Sequence, residues 1–422
     1  GRIKTTIGSF KFDYRSLKMD IVNLRLAAND MQDGSPNFRF RAPRLSLQLK
    51  SLWSFVWHKQ LDIDSIICAR PEIEIFNSPT DKKRSGSISE EIGKVYVSIQ
   101  DVLNSLNIKR LEIQKGRINI IDKYAHGDTL ALSDIFFRVD NLHVDTARLG
   151  AQPFLFSDDI ILQTNNQDIT WDRGDRRLRF KRLYINTREN LIEIDSCYIS
   201  GSKKDVNTGS FTVFIDSVKL VNPNFQALYL ADNLEVDSIF CFTPRLKLQL
   251  VLKENDKAKQ SSREILERTL QVLTGDLAVK YVGVKNADLS VVTQKGERVT
   301  SFNSSQNNFS LDDIVINNNN EQPVRIGHID LAIRNYLSYT PDSVYAIRFD
   351  SIHIVRNRMI LDNFTIATSA HAKVNLKGTY SIRRFILTDV SWADLLLDKQ
   401  LNARQATLYK PDIRVSVHHT AD

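Results

Sequence analysis

Residues Ser51–Ile75 read SLWSFVWHKQLDIDSIICARPEIEI, and the same pattern returns twice. Asn224–Leu248 reads NFQALYLADNLEVDSIFCFTPRLKL, and Ser391–Val415 reads SWADLLLDKQLNARQATLYKPDIRV. The three align without a gap at offsets of 173 and then 167 positions, so Leu61, Leu234 and Leu401 coincide, as do Pro71, Pro244 and Pro411. A period carried through a whole chain implies stacked units, each completing its core against its neighbours.

Working outward, Leu106–Asp122 (LNIKRLEIQKGRINIID) matches Leu277–Thr293 (LAVKYVGVKNADLSVVT), and Arg179-Phe180 returns as Arg348-Phe349. These matches set unit boundaries at 1–165, 166–334 and a partial third unit at 335–422. The chain begins with Gly1 and leaves its third unit where the others would begin a long helix, so it reads as a piece of a longer array.

Within each unit the apolar residues alternate. Leu45, Leu47 and Leu49 are interleaved with Arg44, Ser46, Gln48 and Lys50, and Ile73 and Ile75 with Glu72 and Glu74. Such alternation marks strands with one dry face, as in antiparallel sheets. Helices are few. Ile88–Leu106 and Glu264–Leu273 carry apolar residues at helical spacing behind capping-box residues, and short helices are expected at Leu52–His58, Phe225–Ala231 and Trp392–Asp398. Asn77–Ser87, Ser202–Gly209, Lys253–Ser262 and Gln294–Asn308 look like loops. The expected fold is mainly β: an elongated, twisted antiparallel β-groove of tandem repeats with a few amphipathic helices.

That inventory has a functional consequence. Twenty-odd strands present more apolar surface than so few helices can cover. An uncovered face of this size must curl over itself. A closed curl makes a core, whereas an open one leaves an apolar trough suited to acyl chains, each buried methylene being worth about 0.8 kcal/mol.

Chemistry-bearing residues do not form a site. Cys68 and Cys241 occupy one repeat position that holds Leu408 in the third copy, which marks an apolar packing site. There is no C-x-x-C or H-E-x-x-H pattern, no P-loop and no G-x-S-x-G elbow. Glu72 and Glu74 become Arg245 and Lys247 in the second copy, as on a solvated face. Neither an enzyme nor a metal or cofactor site is expected. The net charge of +7 and the basic run Arg173–Arg182 lack the interleaved aromatics of a nucleic-acid-binding sheet. No stretch reaches the roughly 18 apolar residues that a membrane helix needs.

An apolar strand ending in Pro71-x-Ile73-x-Ile75, followed by Ile108, Lys109, Leu111, Ile113, Gly116 and Ile118, resembles the AsmA-like family of bacterial envelope proteins. In the second copy Ala287 and Asp288 replace Gly116 and Arg117, a weaker match. The resemblance implies a periplasmic β-groove of the repeating lipid-transfer kind, anchored in the inner membrane by a segment outside this chain. It would support phospholipid movement to the outer membrane and outer-membrane homeostasis. Its partners would be phospholipid acyl chains, a membrane at one or both ends and other envelope proteins, with no nucleic acid. The alternative is a packed, non-enzymatic scaffold for outer-membrane protein assembly. The residues expected to line the groove are Leu47, Ile63, Ile73, Ile75, Leu111, Ile113, Ile118 and Ile120 in the first unit. In the second they are Val236, Leu246, Leu248, Val282, Val284, Leu289 and Val291.

Overall fold

In a computed structural model of the chain, the described residues are 3–29, 36–58, 60–77, 105–122, 129–145, 157–171, 176–202, 210–227, 234–252, 277–295, 298–316, 324–325, 328–340, 342, 344–369, 372, 376–390 and 402–417. They are mainly β, in a large mixed sheet. By compactness the chain divides into two units, Gly1–Ser196 with Val221–Leu234, and Cys197–Leu220 with Glu235–Asp422.

The first unit holds β1 (Ile3–Thr6), β2 (Ser9–Asp13), β3 (Lys18–Asn29), β4 (Pro36–Ser51), α1 (Trp53–His58), β5 (Gln60–Ala69), β6 (Glu72–Asn77), β7 (Ser105–Asp122), β8 (Thr129–Asp145), β9 (Asp159–Trp171) and β10 (Arg176–Asn186). Both β1 and β2 pair with β3, which pairs with β4, and β4 pairs with both β5 and β6. The ladder continues from β7 through β8 and β9 to β10. These pairs are antiparallel, but β5 and β6 run parallel to β7. The strands β11 (Leu191–Ser202) and β12 (Ser210–Pro223) each contribute to both units.

Next come β13 (Leu234–Phe242), β14 (Arg245–Leu252), β15 (Leu277–Lys295), β16 (Arg298–Ile316), β17 (Val324–Arg325), β18 (His328–Tyr339), β19 (Tyr345–Val355), β20 (Arg358–Thr368), β21 (Leu376–Thr388) and β22 (Gln405–Val417). Within the second unit β12 pairs antiparallel with β14, and β14 runs parallel to β15. From β15 the ladder is antiparallel through β16, β18, β19, β20 and β21 to β22.

Three sequence expectations need correction. The sheet is not purely antiparallel, because a long connection between Asn77 and Ser105 lets β7 run in the same direction as β6. Ser105 and Leu106 open β7 instead of ending a helix, while the rest of the expected helix Ile88–Leu106 lies outside the described residues. Of the expected loop Gln294–Asn308, Gln294 and Lys295 end β15 and 298–308 lie in β16, whose Ser- and Asn-rich run is paired to β15 along most of its length. The short helix at Leu52–His58 is present as α1, and its counterpart begins at Phe225–Ala227. The helices expected at Glu264–Leu273 and Trp392–Asp398 fall outside the described residues, as does the remainder of Phe225–Ala231.

The strands are bent at recurrent places. Arg70, Thr243 and Lys410, each just before the aligned prolines, have positive φ angles of 52°, 50° and 51°. Asn23, Ser196 and Asn363 form another aligned set, and Lys115 and Asn286 a third. The same spacing links Leu17 with Asn190 and, within one residue, Arg356. At nearby spacings of 172, 172, 169 and 167 positions, Asp134 matches Gln306, Asn141 matches Asp313, Asn166 matches Asn335 and Asn222 matches Asp389. These sets account for every non-glycine residue with positive φ among the described residues. Leu17, Asn190 and Arg356 lie in turns between strands, whereas left-handed residues within strands mark bulges, which bend the strand and increase its twist.

Candidate functional site

A bulge inserts one residue and so shifts the alternation by one. In LDIDSIICARPEIEI the apolar phase changes from Leu61/Ile63 to Ile66/Cys68, and again after Arg70 to Pro71, Ile73 and Ile75. Register shifts flank Leu49 opposite the first change, and the positive φ of Arg70 lies at the second. In β7 the phase moves from Ile113 to Gly116 across Lys115. A Cβ built on Gly116 would stand 3.0 Å from Ile113 and 3.6 Å from Ile135, so all three share a face. The bulges therefore hold successive apolar sets on one side of a bent strand.

The ladder lines these sets up into rows. Met19, Leu47, Ile66, Leu111, Val139 and Ile160 follow one another across β3, β4, β5, β7, β8 and β9. Beside them runs Ile21, Leu45, Cys68, Ile113, Phe137, Leu162 and Ile185. Leu49, Ile63, Ile108 and Leu142 make a third row, and Phe40, Ile73, Ile118 and Leu132 a fourth. Ile75 and Ile120 stand opposite each other in a fifth. All eight expected residues of the first unit are thus brought into adjacent rows.

In the second unit Val213, Leu246 and Leu289 are aligned, as are Phe211, Leu248 and Val291. Val282 lies opposite Leu311, and Val284 opens the row Phe309, Leu331, Ile354, Met359 and Leu387. Val236 is buried at the position corresponding to Ile63.

Three of the fifteen residues, Ile63, Val236 and Val284, are buried; Ile75 is 37% exposed. The others with described side chains are half-buried. Their cover comes from the side. One buried cluster joins Leu24, Ala42 and Cys68 with Ile21, Leu26, Phe40, Leu45 and Ile113, which are neighbours along a single ladder. Another joins Ile354, Met359, Leu387 and Val390 with Leu331, Ile352 and Phe385. Among the described side chains of the short helix, Trp53 and Trp57 are 72% and 71% exposed and do not cover this face.

Strict alternation misses part of this surface. Leu24, Ala42, Ile66, Val139, Ile354, Met359 and Leu387 belong to it, and the signal was present as an i, i+3 step between apolar pairs.

The opposite face is polar and held by ion pairs. Arg44 and the Ser46 hydroxyl both reach Asp20, and the hydroxyl hydrogen bond is the main reason its carboxyl titrates below the usual range. Arg39 meets Glu74 at 3.4 Å. Lys109–Asp64 (3.4 Å) and Lys280–Asp237 (2.6 Å) are the same pair in two copies. Exposed pairs of this kind stabilise little and serve chiefly to keep the face wet.

At the bulges, buried amides satisfy displaced backbone groups. Gln167 Oε1 accepts the Ser133 N–H at 3.0 Å, and Gln167 Nε2 lies 2.6 Å from the Ser133 carbonyl. In the second unit Asn307 donates to the Ala287 carbonyl at 2.9 Å and accepts from the Arg334 N–H at 3.3 Å.

Burial pushes the Cys68 thiol up to about 11, and partial burial beside Cys197 pushes the half-buried Cys241 also up to about 11. Cys197 is raised by burial as well. Alkylation of the folded protein at pH 8 should therefore run on the order of a hundredfold slower than for a free cysteine, with three thiols reacting at once in denaturant. Mass spectrometry of iodoacetamide time courses checks this, and rapid native labelling of Cys68 would contradict it.

Among the described residues no three His, Cys, Asp or Glu side chains converge as metal ligands, and no helix is long and apolar enough to cross a membrane. No family model matches the sequence, and a comparison with characterised proteins finds no match.

Proposed function

We propose that this chain is a non-enzymatic lipid-binding protein whose apolar face forms a groove for phospholipid acyl chains. The observation carrying this reading is the set of uninterrupted apolar rows on one face, left half-exposed, with an ion-paired face behind. A surface of this kind recognises acyl chains by area alone, at about 0.8 kcal/mol per methylene buried. Among the described residues its rows are apolar throughout, which suits a conduit better than a headgroup-specific receptor. The aligned bulges support tandem repetition of one curved unit. The AsmA-like pattern at Pro71, Ile73, Ile75, Leu111, Ile113 and Gly116 supports a role in the bacterial periplasm, moving phospholipid between inner and outer membrane.

Native mass spectrometry of the purified chain, followed by lipid extraction, tests the reading. Bound phospholipid is expected, and a photo-crosslinker at Ile75 or Ile113 should form acyl adducts while one at Glu74 should not. A lipid-free protein, or adducts confined to the Glu74 face, would instead favour a scaffold for assembling outer-membrane proteins.

A further inference from the structure

We infer that the edge of β22 with which no described strand pairs is a docking site for an extended polypeptide segment that pairs with it in parallel and carries a basic residue opposite Asp412. This goes beyond the lipid groove and holds whatever fills it. The argument starts from two backbone groups. In the first unit the Arg70 N–H donates to the Gln114 carbonyl at 2.7 Å, and the Arg117 N–H donates to the Pro71 carbonyl at 2.8 Å. In the second, the Thr243 N–H donates to the Lys285 carbonyl and the Asp288 N–H to the Pro244 carbonyl, both at 2.8 Å. The left-handed residue turns its N–H, and the proline its C=O, toward a parallel neighbour, which is β7 in one case and β15 in the other.

Lys410 and Pro411 are the third instance of this pair, with the same positive φ. On one side β22 pairs with β21, as β4 and β12 do with their counterparts. On the other side no strand pairs with it among the described residues. Leu408, Ile413 and Val415 are 45%, 70% and 62% exposed, where Cys68, at the position of Leu408, is only 6% exposed.

The charge at this place specifies the occupant. Glu72 stands opposite Arg117 in the parallel register, and Arg245 stands opposite Asp288, so the sign is reversed between units but always complementary. In β22 the corresponding residue is Asp412, held at present by Arg414 of its own strand at 2.7 Å. A partner segment of the β7 type, with Arg117, therefore fits, and one of the β15 type, with Asp288, does not.

The test uses the full chain and a labelled synthetic peptide of residues 105–122. Fluorescence anisotropy should show saturable binding, and the Arg117→Asp peptide should bind about two- to fivefold more weakly, the range for one cross-strand charge pair. An Asp412→Arg protein should reverse that order, and Asp412→Asn should erase it if the first variant does not fold. A photo-crosslinker at peptide position 113 should label the region of Leu408, and one at position 120 the region of Val415. Crosslinks in the reverse order, equal binding of both peptides to the unaltered protein, or no binding would overturn the inference.

Discussion

Aspartate substituted for both Ile75 and Leu248 should strip the purified protein of bound phospholipid while leaving it folded. Both residues lie in rows of the apolar face, one in each unit, and Ile75 is already 37% exposed, so the substitutions open no cavity. Aspartate is too short to lift its charge clear of the surface, unlike lysine, whose stem can snorkel. Each carboxylate set against an acyl chain costs at least about 2 kcal/mol, roughly thirtyfold in affinity. Lipid extraction and phosphorus assay read the loss, with circular dichroism as the check on folding. Glu74→Lys, on the opposite face, serves as control and should retain its lipid. Undiminished lipid in the folded double variant would remove the groove from the account.

The second large effect concerns stability. Gln167 is 3% exposed and satisfies both the N–H and the carbonyl of Ser133 where the bulges at Asp134 and Asn166 interrupt the ladder. Gln167→Met keeps the volume and removes every hydrogen bond. The Ser133 N–H then loses its acceptor, while the Ser133 carbonyl keeps the Thr164 hydroxyl at 2.9 Å; with the other lost Gln167 bonds this should cost about 2–3 kcal/mol. For a cooperative unit near 200 residues that lowers the Tm by roughly 5–10 °C. Asn307→Leu should act similarly in the second unit, because Asn307 bridges Ala287 and Arg334 across the bulges at Asn286 and Gln306. Calorimetry would read both. A Tm within about 1 °C of the unaltered protein would mean that water replaces these amides without loss.

The phase changes explain why the sequence disclosed some features and concealed others. Alternation around Leu45, Leu47 and Leu49 identified a strand, and it was one. Ile66 shares a face with Ile63 and Ile73 only because Asp64 and Arg70 each absorb a residue. A two-residue period applied without interruption would have put Ile66 on the face opposite to both. Arg70, Lys115 and Thr243 are not residues that announce a left-handed backbone, and only their recurrence at aligned positions reveals it. The parallel pairing of β6 with β7 was hidden for another reason. Strand direction depends on the long connection between Asn77 and Ser105, whose apolar spacing says nothing about where the chain re-enters the sheet. The Ser- and Asn-rich strand β16 was misread because its polar residues serve the bulges it crosses, with Ser304 and Asn307 hydrogen-bonded at 2.7 Å.

Segments with similar sequence patterns pose a hazard during folding: β6 and β14 have almost interchangeable apolar alternation, and either could zip onto the wrong successor. The reversed polarity at Glu72/Arg117 and Arg245/Asp288 works against this error. Mistaken partners would set Glu72 against Asp288 or Arg245 against Arg117, like against like, which is penalised where strands meet directly. One pair of side chains per unit thus acts as an address label, sorting look-alike segments as the polypeptide collapses.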